Sequence, residues 1–353
     1  MLEVEDLEVH YSTEEGPVRA VDGVNFEIEE GENVGIVGES GCGKSTLAKA
    51  LIGILPQNGR VAGGDIRFHG ESLVDASEKR RREIRWDEIS MIAQSAMNAL
   101  DPVYTIREQI VEAITAHYPK KGRTEAQEIV DDMFDLVGLD RDRQTDYPHQ
   151  FSGGMRQRAM IAMALALDPS LILADEPTTA LDVIMQDQIL NRISAIQDEI
   201  NSSMIVITHD VAVVAETCDR VIVMYAGELV EEGPVEEIFH QPYHPYTLGL
   251  KSAFPNIRAT DQDLVSIGGS PPDLVEPPSG CRFAPRCPLA RPQCTREDPP
   301  EVEVNGLRTK CHFTDEIDSE LRPIADDAQI WQESGSIASG GGDAAPDEGV
   351  ADD

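Results

Sequence analysis

The sequence has few lysines and no long apolar run. Only seven of its 29 basic residues are lysine, and they stand against 65 acidic residues, for a formal net charge of −36. Nucleic acid is a poor partner for so acidic a surface, because proteins bind the phosphate backbone through lysine and arginine. A membrane-spanning helix needs about 18 consecutive apolar residues, and no apolar stretch here approaches that length. Met1 is not followed by the basic and then apolar segments of a secretory signal peptide. We therefore expect a chain that neither spans a membrane nor is secreted.

The acidic residues are spread along the chain. The stretch after Phe313 holds 12 acids and one arginine, which leaves a net charge of −25 on residues 1–313. An even acidic surface with little lysine is typical of adaptation to a salt-rich cytoplasm, as in a halophilic archaeon, where salt screens the repulsion between carboxylates. An ordinary acidic protein is the alternative, although such proteins seldom lose lysine as well.

The segment 38–46, GESGCGKST, fits the phosphate-binding pattern GxxxxGK[ST] and follows the apolar run 34–37. Its glycines let successive backbone N–H groups approach a phosphate, and the helix that begins after the loop favours anions at its N-terminus. Lys44 is expected to reach the β- and γ-phosphates of a nucleotide, and Ser45 to ligate Mg²⁺. The alternative is a glycine-rich turn that binds nothing, and the order of strand, loop and helix disfavours it.

Four more elements indicate which nucleotide chemistry this is. The apolar run LILADE at 171–176 ends in Asp175, which can hold Mg²⁺ through water, and Glu176, which can polarise an attacking water. Earlier, FSGGMRQR at 151–158 leads into a helix predicted over 159–167. Two predicted strands end in polar residues, with Gln94 after 90–93 and His209 close after 204–207. Taken alone, Gln94 would be a solvated amide at a strand end and His209 a core histidine, and the acidic motif upstream of His209 favours a functional role for it.

These motifs together resemble those of the ATPase subunit of an ATP-binding-cassette (ABC) transporter. The phosphate loop, the glutamine loop, the signature at 152–154, the acidic motif at 175–176, the D-loop at 180–182 and the switch histidine occur in the family's order. The resemblance covers residues 1 to about 237. It implies an α/β fold, an ABC-type phosphate-loop domain interrupted by a helical subdomain, and hydrolysis of ATP with Mg²⁺.

The resemblance also implies a role for each site residue. The catalytic residues would be Glu176, His209 and Gln94, and the Mg²⁺ ligands Ser45, Gln94 and Asp175. The residues expected to contact ATP are Tyr11, at the place where the family stacks an aromatic ring on adenine, and Gly38, Ser40, Gly41, Cys42, Gly43, Lys44, Ser45, Thr46, Ser152, Gly153, Gly154 and Asp182. In the family the signature faces the nucleotide of a second ATPase subunit, so one chain would hold two half-sites.

Several stretches narrow the resemblance to one group of importers. FSGGMRQR, ADEPTTALDV and QSAMNALDP are similar to the first of the two ATPases of oligopeptide and dipeptide importers. HQPYHPYT at 240–247 resembles the element that opens their extra C-terminal region. The expected function is therefore to energise the import of di- or oligopeptides. Ser95, Ala96 and Asp101 depart from the commoner residues, and importers of nickel or oligosaccharide share this ATPase type, so those substrates stay open.

An importer ATPase of this kind works with other subunits. The resemblance implies a heterodimer with a sister ATPase, two permease subunits, an external substrate-binding protein and a peripheral location on the cytoplasmic face of the cell membrane. A soluble ABC ATPase that acts on nucleic acid or ribosomes is a less favoured alternative. Such proteins carry a long coiled coil or two cassettes, whereas here Lys44 and Asp175 are 131 positions apart with no sustained heptads. No nucleic-acid partner is expected.

Four of the six cysteines crowd the C-terminal region: Cys281, Cys287, Cys294 and Cys311. A cytoplasmic location disfavours disulfides and so indicates thiolate ligation of a metal. Their spacing matches neither the paired knuckles of zinc sites nor the common ferredoxin runs, which leaves zinc and an iron–sulfur cluster both open. CRFAPRCP at 281–288 resembles peptide-importer ATPases that carry a [4Fe–4S] cluster, which implies this cluster here, with His312 as an alternative ligand.

The expected organisation has three parts. Residues 1–237 form the nucleotide-binding domain, whose helical subdomain at about 95–165 is indicated by apolar residues spaced three and four apart over 106–114 and 126–137. In the family this subdomain receives the coupling helices of the permeases. Residues 240–313 form a small Cys- and Pro-rich C-terminal domain. Residues 314–353 form an acidic, disordered tail, since they are too polar and glycine-rich to offset the entropy of ordering.

Overall fold

The structure is a computed structural model that describes residues 1–93, 100–177, 202–253 and 266–333, together with the single helical positions 186, 190 and 193. Gln94 and Asp182, two of the expected site residues, lie outside this described part of the chain. Its strands are β1 Leu2–Ser12, β2 Pro17–Ile28, β3 Asn33–Val37, β4 Gly59–Phe68, β5 Glu71–Ser72, β6 Ile89–Ile92, β7 Leu171–Asp175, β8 Ser203–Ile207, β9 Arg220–Tyr225, β10 Glu228–Pro234, β11 Glu301–Val304 and β12 Leu307–Lys310.

The α-helices of the described residues are α1 Lys44–Leu51, α2 Glu78–Ile84, α3 Ile106–His117, α4 Arg123–Leu136, α5 Gly153–Leu165, α6 Val211–Thr217, α7 Val235–His240, α8 Pro245–Ala253 and α9 Ala328–Glu333. In this part of the chain no helix is both long enough and apolar enough to cross a membrane.

Parallel strands form the centre of the larger sheet, whose order is β11-β12-β10-β9-β3-β8-β7-β6. Strands β9, β3, β8, β7 and β6 run parallel, and every residue of β7 and β8 is buried. A strand buried on both faces reads as a continuous apolar run, which is why the sequence predicts these strands correctly. The carboxyl ends of parallel strands meet at one edge, so the segments that follow β3, β7 and β8 come together there. The smaller sheet is antiparallel, in the order β2-β1-β4-β5.

Helices α3, α4 and α5 lie between β6 and β7 in the chain and pack around one hydrophobic cluster. The spacing of apolar residues predicted α3 and α4, and both are confirmed. Thr105 begins α3 with a capping box, because its Oγ1 accepts from N of Glu108 while the Glu108 carboxylate accepts from N of Thr105. Helix α5 begins at Gly153, six residues before the predicted start, because Ser152 caps it.

The region from residue 240 onward shares its sheet and core with the nucleotide-binding part, so a separate domain at 240–313 is not confirmed. Strand β12 pairs with β10 and extends the larger sheet, with Glu231 opposite Thr309. One hydrophobic cluster combines Val37 of β3 with Phe283 and Leu307. The physical reason is that β12 satisfies the N–H and C=O groups along an otherwise open edge of β10.

Residues 314–333 pack against the same cluster, which corrects the prediction of a disordered tail from residue 314. They form short helical turns that end in α9. Ile317, Leu321 and Trp331 are fully buried, and the indole N–H of Trp331 donates to O of Ala325 (2.8 Å). The composition of 314–353 as a whole is polar and does not reveal this segment, because its apolar residues Ile317, Leu321 and Ala325 stand four apart among acidic residues. Residues 334–353 lie outside the described part.

Candidate active site

The loop between β3 and α1 needs glycine at several positions. Gly38, Gly41 and Gly43 have positive φ values of 153°, 83° and 107°. A Cβ atom on Gly38 would lie 2.2 Å from O of Met224, and one on Gly43 would lie 2.2 Å from O of Ala20. Because the backbones of β9 and β2 pass this close, larger residues would push the loop out of its phosphate-binding shape.

Lys44, the first residue of α1, is buried and folds back over the loop. Its Nζ donates to O of Gly38 (2.7 Å) and O of Glu39 (2.9 Å), and it lies 3.6 Å from Sγ of Cys42. The ammonium group is therefore held close to the N-terminus of α1, where an anion such as a phosphate is stabilised.

Ser45 meets the end of β7. Its Oγ donates to Oδ1 of Asp175 (3.1 Å). Burial raises the pKa of the Asp175 carboxyl, and the hydrogen bond from Ser45 opposes that effect. Hydroxyl and carboxylate oxygens are ligands that Mg²⁺ accepts, so this contact brings two of the three expected magnesium ligands together. The third, Gln94, lies outside the described residues.

Glu176 and His209 come together from the ends of two neighbouring strands. Nδ1 of His209 lies 3.0 Å from Oε1 of Glu176, within hydrogen-bonding distance. The backbone N of Glu176 donates to O of Ile207 (2.8 Å), and Glu176 has a φ of +49°, an uncommon conformation that non-glycine residues adopt at functional sites. The Glu176 side chain is 17% exposed and that of His209 is 69% exposed. A largely buried carboxylate thus stands beside an imidazole that is open to a ligand.

A cavity of about 550 Å³ unites these groups, a size suited to a small-molecule ligand. It is lined by Tyr11, Val18, Ala20, Ser40, Gly41, Gly43, Lys44, Ser45, Thr46, Asp175, Glu176, Ile207, His209 and Leu274. Gly38 and Cys42 were also expected to contact the nucleotide, but they do not line this cavity. Cys42 is buried, and burial raises the pKa of its thiol.

Tyr11 stands at one side of the cavity. Its Oη lies 3.2 Å from Oγ1 of Thr46, and its ring packs beside Gly59, where an added Cβ would lie 2.7 Å from Cε1 of the ring. The tyrosine therefore connects β1 to the phosphate loop. Stacking of adenine on its ring stays a prediction.

Val18, Ala20 and Leu274 line the cavity and were missed by sequence reasoning. O of Leu274 accepts from N of Arg19 (2.9 Å), so a C-terminal segment runs beside β2 at the nucleotide cavity. No motif marks these residues, because the contact joins two segments far apart in the chain.

The signature residues lie apart from this cavity. Ser152 and Gly153 are exposed, and none of residues 152–154 is among the lining residues. Oγ of Ser152 accepts from N of Met155 (3.3 Å) and so caps α5. An exposed helix N-terminus with a capping serine can present its N–H groups to a phosphate on another chain.

A second, small cavity is lined by all four C-terminal cysteines, which the chain brings together from 31 positions of sequence. Burial raises the pKa of the thiols of Cys281 to about 11 and Cys311 to about 12, and it raises that of Cys287 as well. All four cysteines are described, and no three of their Sγ atoms lie within 4.8 Å of one another. Both ring nitrogens of His312 face other partners, O of Glu297 (3.0 Å) and Nε2 of Gln293 (3.3 Å), which disfavours it as a ligand.

Comparison with known proteins decides the family. A family model described as ABC transporter matches residues 21–179, and one described as oligopeptide/dipeptide transporter, C-terminal region, matches residues 230–294. The dipeptide transport ATP-binding protein DppD of Bacillus subtilis is 47% identical over 320 residues, which cover 90% of this chain and 95% of that protein. The chain is an ABC transporter ATPase of the oligopeptide/dipeptide importer family.

Further relatives agree with this membership. The oligopeptide transport ATP-binding protein OppD of Salmonella typhimurium is 44% identical over 315 residues, with 88% of this ABC ATPase and 93% of that protein covered. A dimeric structure of the ATP-binding cassette MJ0796, in a post-hydrolysis state bound to ADP and Pi, superimposes with a TM-score of 0.62 and 28% identity over 67% of this chain and 99% of that one. CbiO1 from Clostridium perfringens superimposes with a TM-score of 0.57 and 29% identity over 68% and 90%. This ABC ATPase therefore hydrolyses ATP.

Proposed function

We propose that this ABC ATPase energises the import of di- or oligopeptides across the cell membrane. The observation that carries the proposal is the match of residues 230–294 to the C-terminal region of oligopeptide and dipeptide transporters, on a chain whose ATPase motifs are also complete. Nickel and oligosaccharide are the alternative cargoes, and action on nucleic acid is disfavoured by the net charge of −36.

The geometry of the cavity supports a mechanism for hydrolysis. Lys44, at the N-terminus of α1, neutralises charge on the β- and γ-phosphates, since phosphoryl transfer depends mostly on positioning and electrostatics. Ser45 and Asp175 would hold Mg²⁺, which would add positive charge beside the phosphates. Glu176 orients and polarises the attacking water. His209 hydrogen-bonds Glu176 and extends into the cavity, where it can report the presence of the γ-phosphate.

A second cassette completes each ATP site. The exposed signature at 152–154 lies away from this chain's own cavity and would close over ATP held by a partner subunit. We propose that this partner is a sister ATPase, the second of the two ATPases of a peptide importer, and that this chain is the first. Two permease subunits and an external substrate-binding protein complete the transporter, and the ATPase lies on its cytoplasmic face. Gln94 and Asp182 keep their expected roles as γ-phosphate sensor and D-loop residue.

The cysteine-lined cavity is proposed to hold a [4Fe–4S] cluster. Four thiols line one cavity, and burial raises the pKa of the thiols of Cys281, Cys287 and Cys311, so thiolates there would need a compensating positive charge. A single zinc ion draws its sulfur ligands to about 2.3 Å from the metal, hence close to one another. Among the described residues, no three of these sulfurs lie within 4.8 Å of one another, which disfavours a single zinc ion. The cluster is favoured by the resemblance of residues 281–288 to peptide-importer ATPases that carry one, and such a cluster holds each thiolate on a different iron.

Anaerobic purification tests the cluster. The protein is expected to be brown, with broad absorption near about 400 nm and about four irons per chain. A Cys294→Ser variant should lose iron, whereas Cys218→Ser, which changes a cysteine outside the cavity, should keep it. Colourless protein with one zinc per chain, or metal-free protein with two disulfides, would contradict the proposal.

Reconstitution tests the cargo. The chain is co-expressed with the proposed sister ATPase and permease subunits, and the complex is placed in proteoliposomes with the proposed substrate-binding protein. ATPase activity stimulated by di- or oligopeptides, and not by nickel or oligosaccharide, is the expected result. Stimulation by either alternative alone would replace the peptide assignment, and failure to co-purify with permeases would remove the importer role.

The acidic surface is proposed to be an adaptation to high salt, as in a halophilic archaeon. The support is the net charge of −25 on residues 1–313 combined with seven lysines in the whole chain. Molar salt shortens the screening distance to about 3 Å and so removes repulsion among carboxylates.

A further inference from the structure

The guanidinium group of Arg286 is buried, and each of its N–H groups has an acceptor. Nη1 and Nη2 donate to the two carboxylate oxygens of Glu39 (2.7 and 2.8 Å), forming a bidentate ion pair. Nη1 also donates to Oη of Tyr225 (3.2 Å), Nη2 to O of Ile267 (3.2 Å), and Nε to O of Gly268 (2.8 Å). A guanidinium has five N–H donors, so this site satisfies all of them. Such an arrangement fixes one orientation of the side chain.

Glu39 is the second residue of the phosphate loop, and the structure holds it at three points. Arg286 binds its carboxylate, Oη of Tyr246 accepts from its backbone N (2.8 Å), and its backbone O accepts from Nζ of Lys44 (2.9 Å). Glu39 does not line the nucleotide cavity. Its side chain therefore acts on the nucleotide through the loop's backbone and through the position of Lys44.

Arg286 is also the neighbour in the chain of Cys287, a residue that lines the cysteine cavity. It ends the short helical turn Ala284–Arg286, and the next residue, Cys287, is buried and lines that cavity. N of Cys287 donates to O of Ala284 (3.3 Å), so a backbone hydrogen bond joins the turn to the cysteine. One arginine thus links a segment of the cysteine cavity to the phosphate loop.

We infer that Arg286 is a positioning residue for ATP binding, which holds Glu39 and hence the phosphate loop in place. Through the same ion pair, a change in the wall of the cysteine cavity at Cys287 would alter the affinity for ATP, a relay from that cavity to the nucleotide site. This role rests on the ATPase activity of the chain and not on the peptide cargo or on iron. A buried ion pair is often no more stabilising than apolar residues, so its value here lies in fixing the loop.

Binding of a fluorescent ATP analogue to the chain, with Mg²⁺, tests the ion pair. Arg286→Gln and Glu39→Gln are each expected to raise the dissociation constant about tenfold, a usual size for coupling between two sites. The double variant should be no weaker than either single one, because both changes break the same interaction. Arg286→Lys keeps one charge-assisted contact and should recover part of the affinity. In the complete transporter, KM for ATP should rise more than kcat falls.

Arg322→Gln is the matched control. Arg322 is also partly buried in the C-terminal region and pairs with Asp318, but it contacts neither the phosphate loop nor the cysteine cavity. Its dissociation constant should stay within about twofold of the wild type. An Arg286→Gln protein with the same constant as this control would overturn the positioning role, and so would additive losses in the double variant.

Cys287→Ser tests the relay. A hydroxyl is penalised by burial where the thiol was tolerated, so the wall of the cavity should be disturbed whether or not iron is bound. We expect weaker binding of the analogue in Cys287→Ser and no further loss when Arg286→Gln is added. Unchanged binding in Cys287→Ser would overturn the relay. Iron is assayed in parallel. An iron-free wild type would contradict the proposed cluster, but the binding measurements on the Arg286 and Cys287 variants would still test the positioning role and the relay.

Discussion

At the scale of single residues, the assignment of chemistry depends on which carboxylate can reach a water beside the γ-phosphate. Asp175 accepts a hydrogen bond from Ser45, the other proposed magnesium ligand beside it. Glu176 is turned away from that contact by its positive φ and meets His209 instead. Two adjacent acids therefore have different partners, in keeping with the separate roles proposed for them, metal binding for Asp175 and water activation for Glu176.

Glu176→Gln should keep ATP binding and lower turnover by roughly 10² or more, because the amide cannot polarise the attacking water. Steady-state ATPase activity of the transporter and binding of a fluorescent ATP analogue measure the two effects. Glu237→Gln makes the same chemical change at an exposed position of α7 and should leave activity unchanged. Turnover within threefold of the wild type would assign the water to another group.

At the scale of secondary structure, the residue that precedes α5 has two roles. Ser152 caps the helix through its contact with N of Met155, and it opens the signature that is proposed to face a partner's ATP. A substitution there can therefore act by loosening the helix or by blocking the partner's nucleotide. Removing a comparable capping residue from another helix separates the two effects.

Ser152→Arg should abolish ATP hydrolysis by the assembled transporter and leave ATP binding by the isolated chain intact, because Ser152 serves the nucleotide of the other subunit. Loss of the cap itself should cost about 1 kcal/mol of unfolding free energy. Ser77→Ala removes a comparable cap, which accepts from N of Arg80 at the start of α2, and should leave hydrolysis unchanged. If the isolated Ser152→Arg chain no longer binds ATP, the half-site assignment is wrong.

The helical turns after residue 313 are a structural element rather than an appendage. Trp331→Ala should lower the unfolding free energy by about 3–5 kcal/mol, the usual cost of removing a large buried aromatic side chain. Denaturant titration of the purified chain measures it. Tyr104→Ala removes an aromatic ring that is 50% exposed and should change stability by less than about 0.5 kcal/mol. Equal small effects of the two substitutions would show that residues 314–333 do not stabilise the core.

At the scale of the whole molecule, charge should govern stability. Lowering KCl from about 1 M to about 0.1 M lengthens the screening distance from about 3 Å to about 10 Å and restores repulsion among the carboxylates. We expect the melting temperature to fall by at least about 5 °C, which corresponds to about 4 kcal/mol for a chain of this size. An uncharged solute of equal osmotic strength should not replace the salt. A melting temperature that is indifferent to KCl over this range would contradict adaptation to high salt.

The sequence predicted the parts of the site that local chemistry controls. The phosphate loop could be recognised because positive φ at Gly41 and Gly43 demands glycine, and the ends of β7 and β8 because buried parallel strands are apolar throughout. Leu274 could not be recognised, since nothing near residue 274 indicates that its carbonyl meets β2. The start of α5 was predicted six residues late, because apolar spacing marks a helix interior and not its cap.

The sequence by itself determined the family, the order of the ATPase motifs and the acidic character of the surface, because each is a property of neighbouring residues or of composition. Only the tertiary structure decided that β12 continues the larger sheet, that Trp331 belongs to the core and that Arg286 holds Glu39. These contacts join segments that are far apart along the chain. Their existence depends on which strand edge is open and which apolar surface is uncovered after the parallel sheet has formed, and no local pattern records either.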